Sequence, residues 1–264
     1  MNFSKLNRGL MAAILLAFTL SACNNDDDNG SDVTPPPAGE GNVEIKFDHV
    51  WGPMQTPFAL EQQFLHPATG DSLTFTKLAY YISNIQLHNV NGDVWAEPES
   101  YHIVDFDNAH HGTEVKMEIE GVPAGDYNRI TYTIGVDSTR NVSGAQEGAL
   151  DPANGMFWSW TTGYIFVKAE GQTPHTTMGT FTYHLGGFSG ANNAIRENSH
   201  GFDGALLGVA PNAKPSIHLV INAARFWHGG IQVATMPMVH MPGPNAVTLA
   251  NNFAGGFRFD HLHN

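Results

Sequence analysis

The chain has 264 residues, 42% of them hydrophobic and 14% charged, with 16 Phe, 7 Tyr and 5 Trp. That is enough apolar surface for one large domain, and it excludes wholesale disorder. Twelve Lys and Arg against 25 Asp and Glu give a net charge of -13, which excludes the basic footprint of a nucleic-acid binder, and a single cysteine excludes a disulfide framework or an iron–sulfur centre.

The chain opens with an address. Lys5 and Arg8 form a positive n-region, and Leu10 to Leu20 is an apolar run too short to span a bilayer comfortably. It ends in Leu20-Ser21-Ala22-Cys23, which resembles a lipoprotein signal-peptidase box. The expectation is a signal peptide over 1–22 and lipidation of Cys23, making an outer-membrane lipoprotein, periplasmic or surface-exposed. Residues 23–42 read as a tether: Asn24 to Gly30 carries no apolar residue, and Pro35-Pro36-Pro37 is a stiff spacer.

From Val43 to the end, apolar residues alternate with period two in many short runs, and we expect one domain over 43–264. Val43, Ile45 and Phe47 share a face; Ile85 and Leu87 precede the hairpin signal Asn91-Gly92-Asp93. Val115, Met117 and Ile119 make another such run, as do Ile130, Tyr132 and Ile134, then Phe181, Tyr183 and Leu185, then Ile217, Leu219 and Ile221. The fold class predicted is all-β, an antiparallel β-sandwich with long loops and at most short helices, placed at 55–66 or 246–254. The glycine-rich stretch 186–210 reads as a long loop.

No nucleophile elbow, phosphate loop, dinucleotide fingerprint or His-Glu-x-x-His motif is present, so the chain does not read as an enzyme. The unusual feature is 14 histidines and 9 methionines. His49 continues the parity of Val43, Ile45 and Phe47, and His102 that of Val104 and Phe106; both point inward, where an imidazole needs a hydrogen-bond partner or a metal. Met236-Pro237-Met238-Val239-His240-Met241 packs three thioethers and an imidazole into six residues, a donor set suited to Cu(I), and equally an apolar loop with methionine as filler. His184 is off-phase from Phe181, Tyr183 and Leu185 and is a weaker ligand candidate. His110 and His111 read as solvated loop residues; His261 and His263, beside Asp260, share one strand face, where either is a candidate metal ligand, though a solvated tail is the favoured reading. Met156 to Lys168 is dense in aromatics, with Trp158 and Trp160 in parity if extended: a hydrophobic corner, a ligand platform or a wall beside a metal.

The run Met156-Phe157-Trp158-Ser159-Trp160-Thr161-Thr162-Gly163-Tyr164 resembles the hallmark of the MbnP-like copper-binding proteins. Other stretches agree in order: Val43 to Trp51, Tyr80 to Ile85, Tyr101 to Asp105, Gly121 to Tyr127, Ile134 to Asp137, and His184-Leu185-Gly186. The resemblance implies a secreted or lipid-anchored β-sandwich. It implies one copper, held as Cu(I) by histidines and a tryptophan-derived kynurenine, with a di-haem peroxidase of the MauG-like class as the partner that oxidises the tryptophan. His49 and His102 match the histidine positions, and Trp158 or Trp160 the modified tryptophan. The expected role is copper acquisition or homeostasis. The rival expectation is a metal-free surface adhesion or glycan-binding module.

Overall fold

Val43, Ile45, Phe47, His49 and Trp51 alternate along the first strand, and all five are buried. Such period-two burial follows from a pleated strand with one face on a core. The computed structural model describes residues 39–106, 113–144 and 146–264. The signal peptide, Cys23, the tether up to residue 38, and His110 and His111 lie outside the described residues.

Seventeen strands are formed by the described residues. In chain order they begin with β1 (Glu40–Trp51), β2 (Thr56–Pro57), β3 (Gln63–Leu65), β4 (Ser72–Asn89), β5 (Val94–Ala96) and β6 (Tyr101–Asp105). They continue with β7 (Glu114–Pro123), β8 (Gly125–Ile134), β9 (Phe157–Ser159), β10 (Gly163–Tyr164), β11 (Val167–Gln172) and β12 (Thr180–Leu185). The last are β13 (Arg196–Gly201), β14 (Leu207–Val209), β15 (Ser216–Asn222), β16 (Met238–Val239) and β17 (Phe257–His263). The helices are α1 (Ser138–Asn141) and α2 (Pro244–Ala254).

They assemble into a five-stranded and a ten-stranded sheet, with β9 and β10 as a separate hairpin. The fold is all-β and sandwich-like, as the alternation predicts. The smaller sheet runs β17–β15–β1, with β7 and β2 also on β1, and the β1–β15 pairing is parallel. The larger follows β13–β8–β4–β11–β12–β16, with β3, β5 and β6 also on β4. Aromatic rings close the space between the sheets. Tyr80 of β4 meets Phe47 of β1 at 6.3 Å and Phe257 of β17 at 5.5 Å between centroids, and Trp51 meets Phe75 at 6.0 Å. Tyr81, the next residue, faces the opposite side of the large sheet, against Tyr164 at 5.7 Å.

Two local expectations resolve differently. Residues 55–66 form β2 and β3 rather than a helix; Gln55 and Glu61 have positive φ, which a right-handed helix does not accept. The stretch 186–210 contributes β13 and β14, both paired with β8. β13 reads Arg-Glu-Asn-Ser-His-Gly and carries no apolar alternation, so only its backbone hydrogen bonds declare it a strand. The helix at 246–254 is α2; Ala246, Leu249, Ala250 and Phe253 make its buried stripe, and Phe253 stacks on Phe226 at 4.6 Å.

Candidate metal centre

His49 is wholly buried between the sheets, ringed by Phe58, Tyr80 and Phe106. Its Nδ1 donates to the Thr113 carbonyl at 3.0 Å, so the neutral ring offers Nε2 as an acceptor, and the Tyr80 hydroxyl donates to it at 3.0 Å. Burial pushes its pKa down to about 4, against smaller opposing effects of backbone hydrogen bonds from Thr113 and Phe47. His102 lies across from Ile82, and Val104 across from Tyr80, so the register puts His102 on the face of the large sheet that meets His49. Its Nε2 bonds the Glu97 carboxylate at 2.8 Å. His49 thus has no free ring nitrogen, and the ring nitrogen that His102 turns to a partner is held by a carboxylate.

The tryptophan hairpin lies on the Tyr81 side of the same sheet. Its second strand is pinned by Asn141, whose Oδ1 accepts from the Tyr164 amide at 3.0 Å while its Nδ2 donates to the Val136 carbonyl at 2.7 Å. Gly163, at φ +77°, gives that contact room: a Cβ there would stand 2.1 Å from the Asn141 Oδ1. The Tyr164 hydroxyl donates to Leu150 O at 2.7 Å. Trp158 is half-buried and lies over Gly186, where an added Cβ would meet its Cζ3 at 2.7 Å. Trp160 falls in the turn, packs on Phe157 at 4.9 Å and is 55% exposed. The parity expected of the two tryptophans therefore ends at the turn.

The methionine-rich segment arrives at the same place from the other side. β16 pairs in parallel with β12, Thr182 beside Met238 and Tyr183 beside Val239, and the Thr182 amide donates to Pro237 O at 2.9 Å. β16 ends at Val239, and His240 and Met241 follow it directly. Pro242 Cβ then stands 3.1 Å from where a Cβ on Gly187 would be. Two consecutive glycines are thus flanked by the Trp158 indole and by the residue after Met241. Met238 and Met241 are exposed, and with His240 and Pro242 they line a groove of about 400 Å³; Met238 also lines a second of about 330 Å³ with His175 and Met178. Met236 is half-buried against the core. His184 Nε2 bonds the Glu170 carboxylate at 2.6 Å.

The profile of the MbnP family matches residues 40–242. The chain belongs to the MbnP family. Among solved structures, MbnP from Methylosinus trichosporium matches at 16% identity and a TM-score of 0.45, covering 69% of this chain and 76% of that one. No curated protein matches the sequence. Membership of the MbnP family, which is associated with copper binding, makes this a copper-related protein. Tested against copper, the two groups of residues differ. His49 has both nitrogens bonded and fits poorly as a ligand in this conformation. The Met238–Met241 segment, which leads into Pro242 beside Gly187, carries the imidazole and thioether donor types that suit Cu(I).

One histidine does not stand out in the sequence. His218 lies between the inward-facing Ile217 and Leu219. It faces outward, yet it is only 6% exposed, because His261 and His263 of β17 cover it. The signal was an aromatic cation-former alternating with aliphatics beside a His-x-His strand, and it becomes legible only once β15 and β17 are known to pair.

Proposed function

We propose that the chain is an extracytoplasmic, lipid-anchored copper-binding protein serving copper acquisition or homeostasis, with no turnover of its own. The observation that carries this reading is that Trp158 packs over Gly186 while Pro242, which follows the Met-His run, packs beside the next residue, Gly187. Trp158, rather than the turn residue Trp160, is the indole to be converted to kynurenine, and His240 with a thioether of Met241 or Met238 supplies the soft, low-coordinate set for Cu(I). The oxidant is peroxide, delivered by a di-haem peroxidase of the MauG-like class and reduced to water. The indole C2–C3 bond is cleaved, each carbon becoming a carbonyl, and the N-formyl group leaves as formate on hydrolysis. The half-exposed indole on an outer sheet face supports access by a protein partner. His49 and His102 serve in this reading as core and rim histidines, and Cys23 carries the lipid.

The test is copper content and peptide mass on protein purified from its native host. Near-stoichiometric copper with kynurenine at residue 158 is expected, and Trp158→Phe or a His240→Ala/Met241→Ala double variant should lose the copper. Copper retained by the double variant but lost on His49→Gln would return the site to the buried histidine. Absence of copper with intact tryptophans would favour a surface glycan-binding module, for which the exposed Trp160 is the platform.

A further inference from the structure

We infer that His218, His261 and His263 form a second metal site, for a divalent ion of the zinc or copper(II) class, on the outer face of the five-stranded sheet. It shares no residue with the copper reading above, and His261 and His263 lie beyond the matched segment 40–242.

The three imidazoles converge. One nitrogen from each lies within 4.8 Å of the others. His261 stacks on His218 at 4.1 Å between ring centroids, and His263 stands edge-on to both, at 4.9 Å from His218 and 4.8 Å from His261. The Nε2 atoms of His261 and His263 are 3.1 Å apart. Two nitrogens each bound at about 2 Å to one tetrahedral ion stand roughly 3.3 Å apart, so this pair is already near chelating separation.

The decisive atom is His218 Nε2. It is buried and has no hydrogen-bond partner; among the described residues only Arg225 Nε shares that condition. A buried ring nitrogen left without a partner is costly, and a metal ion would satisfy it. Carboxylates stand behind two of the rings. His218 Nδ1 lies 3.4 Å from the Asp48 carboxylate, and His261 Nδ1–H donates to Asp260 at 2.9 Å, the carboxylate–histidine arrangement found behind metal-bound imidazoles.

Charge agrees. Lys46 sits directly across from His218 on β1 and pairs with Glu44 at 3.3 Å. Asp48 and Glu114 crowd the other side of His218 and Asp260 backs His261, with Lys116 on Glu114 at 3.2 Å and Arg258 on Asp260 at 2.9 Å; the four carboxylates Glu44, Asp48, Glu114 and Asp260 against the three cations Lys46, Lys116 and Arg258 leave one net negative charge before an ion arrives. Three neutral nitrogens with carboxylates behind two of them suit borderline zinc or copper(II) rather than calcium or magnesium, and His261 and His263 leave a further position open to solvent.

The test uses the untagged full chain made in a host without the modifying peroxidase, titrated with zinc chloride against a chromophoric chelator. One equivalent of zinc should bind to wild type. His261→Ala/His263→Ala changes exposed residues only and should weaken zinc at least about 100-fold, while Asp260→Asn should weaken it about 10-fold through ring orientation. The His240→Ala/Met241→Ala double variant should bind zinc like wild type, which separates failure here from failure of the copper reading. His218 ring nitrogen shifts should move on zinc addition and stay fixed in the His261/His263 double variant. No zinc bound by wild type, or zinc bound equally by the double variant, overturns the site.

Discussion

The two hydrogen bonds on His49 fix its tautomer and give the molecule a pH dependence whose sign can be worked out. The folded pKa is about 4 and the unfolded value 6.5, so between these the unfolded chain takes up a proton that the folded chain refuses. Stability is whole above pH 6.5, falls as pH drops from there to about 4, and then levels, with a total loss of about 3 kcal/mol from this residue. His66 and His200 are lowered too, both first by burial, and they act in the same direction. The difference between wild type and His49→Gln isolates the one group. Urea unfolding of the variant across this window should show a slope smaller by about one proton, whatever its stability at neutral pH. An unchanged slope would mean that His49 is protonated in the fold.

At the scale of the element, the tryptophan hairpin is held by what its neighbours lack. A Cβ on Gly186 would stand 2.5 Å from the Tyr164 carbonyl oxygen as well as 2.7 Å from the Trp158 ring, and a backbone carbonyl cannot swing aside. Gly186→Ala should therefore cost about 1–3 kcal/mol and lift the indole outward. A lowered melting temperature with red-shifted tryptophan emission and weakened copper binding is the expected result; a variant identical to wild type in all three would show that the hairpin does not rest on this glycine. The same hairpin shows what a sequence discloses. Alternation exposed β1, β7, β8, β12 and β15, because each carries apolar residues at every second position toward the core, although the outer face of β15 is covered as well. It could not disclose β13, whose residues are polar throughout, or the pairing of β16 with β12, which brings Met238 to Thr182 across more than fifty residues. The aromatic run and the Met-His run were each visible as composition. That they flank Gly186 and Gly187 is a fact of tertiary register. His218 was hidden for the same reason, as an imidazole among aliphatics whose partners come from another strand.

For the whole molecule, the governing feature is that β1 and β15 lie side by side in parallel although far apart in sequence. Asn222 completes the closure, its side chain accepting from the Gly52 amide at 2.9 Å and donating to the Gly52 carbonyl at 3.1 Å. Such non-local pairing charges loop entropy before contacts return it, which predicts slow folding and strong cooperativity. A chain ending at residue 210 lacks β15, α2 and β17, and should show no cooperative melt and no exchange-protected amides in β1. Protection surviving there would make the larger sheet and β1 an independent unit.

The position of β1 has a mechanical consequence. Glu40 opens the strand, which is bonded to β15 on one side and to β7 on the other. A pull on Glu40 along the strand axis runs nearly at right angles to the antiparallel bonds with β7 and across the slanted parallel bonds with β15. The bonds are then loaded together in shear rather than opened one at a time like a zip. A protein held to a surface by its N-terminal side, and dragged by flow, would meet that load with a strand paired on both edges.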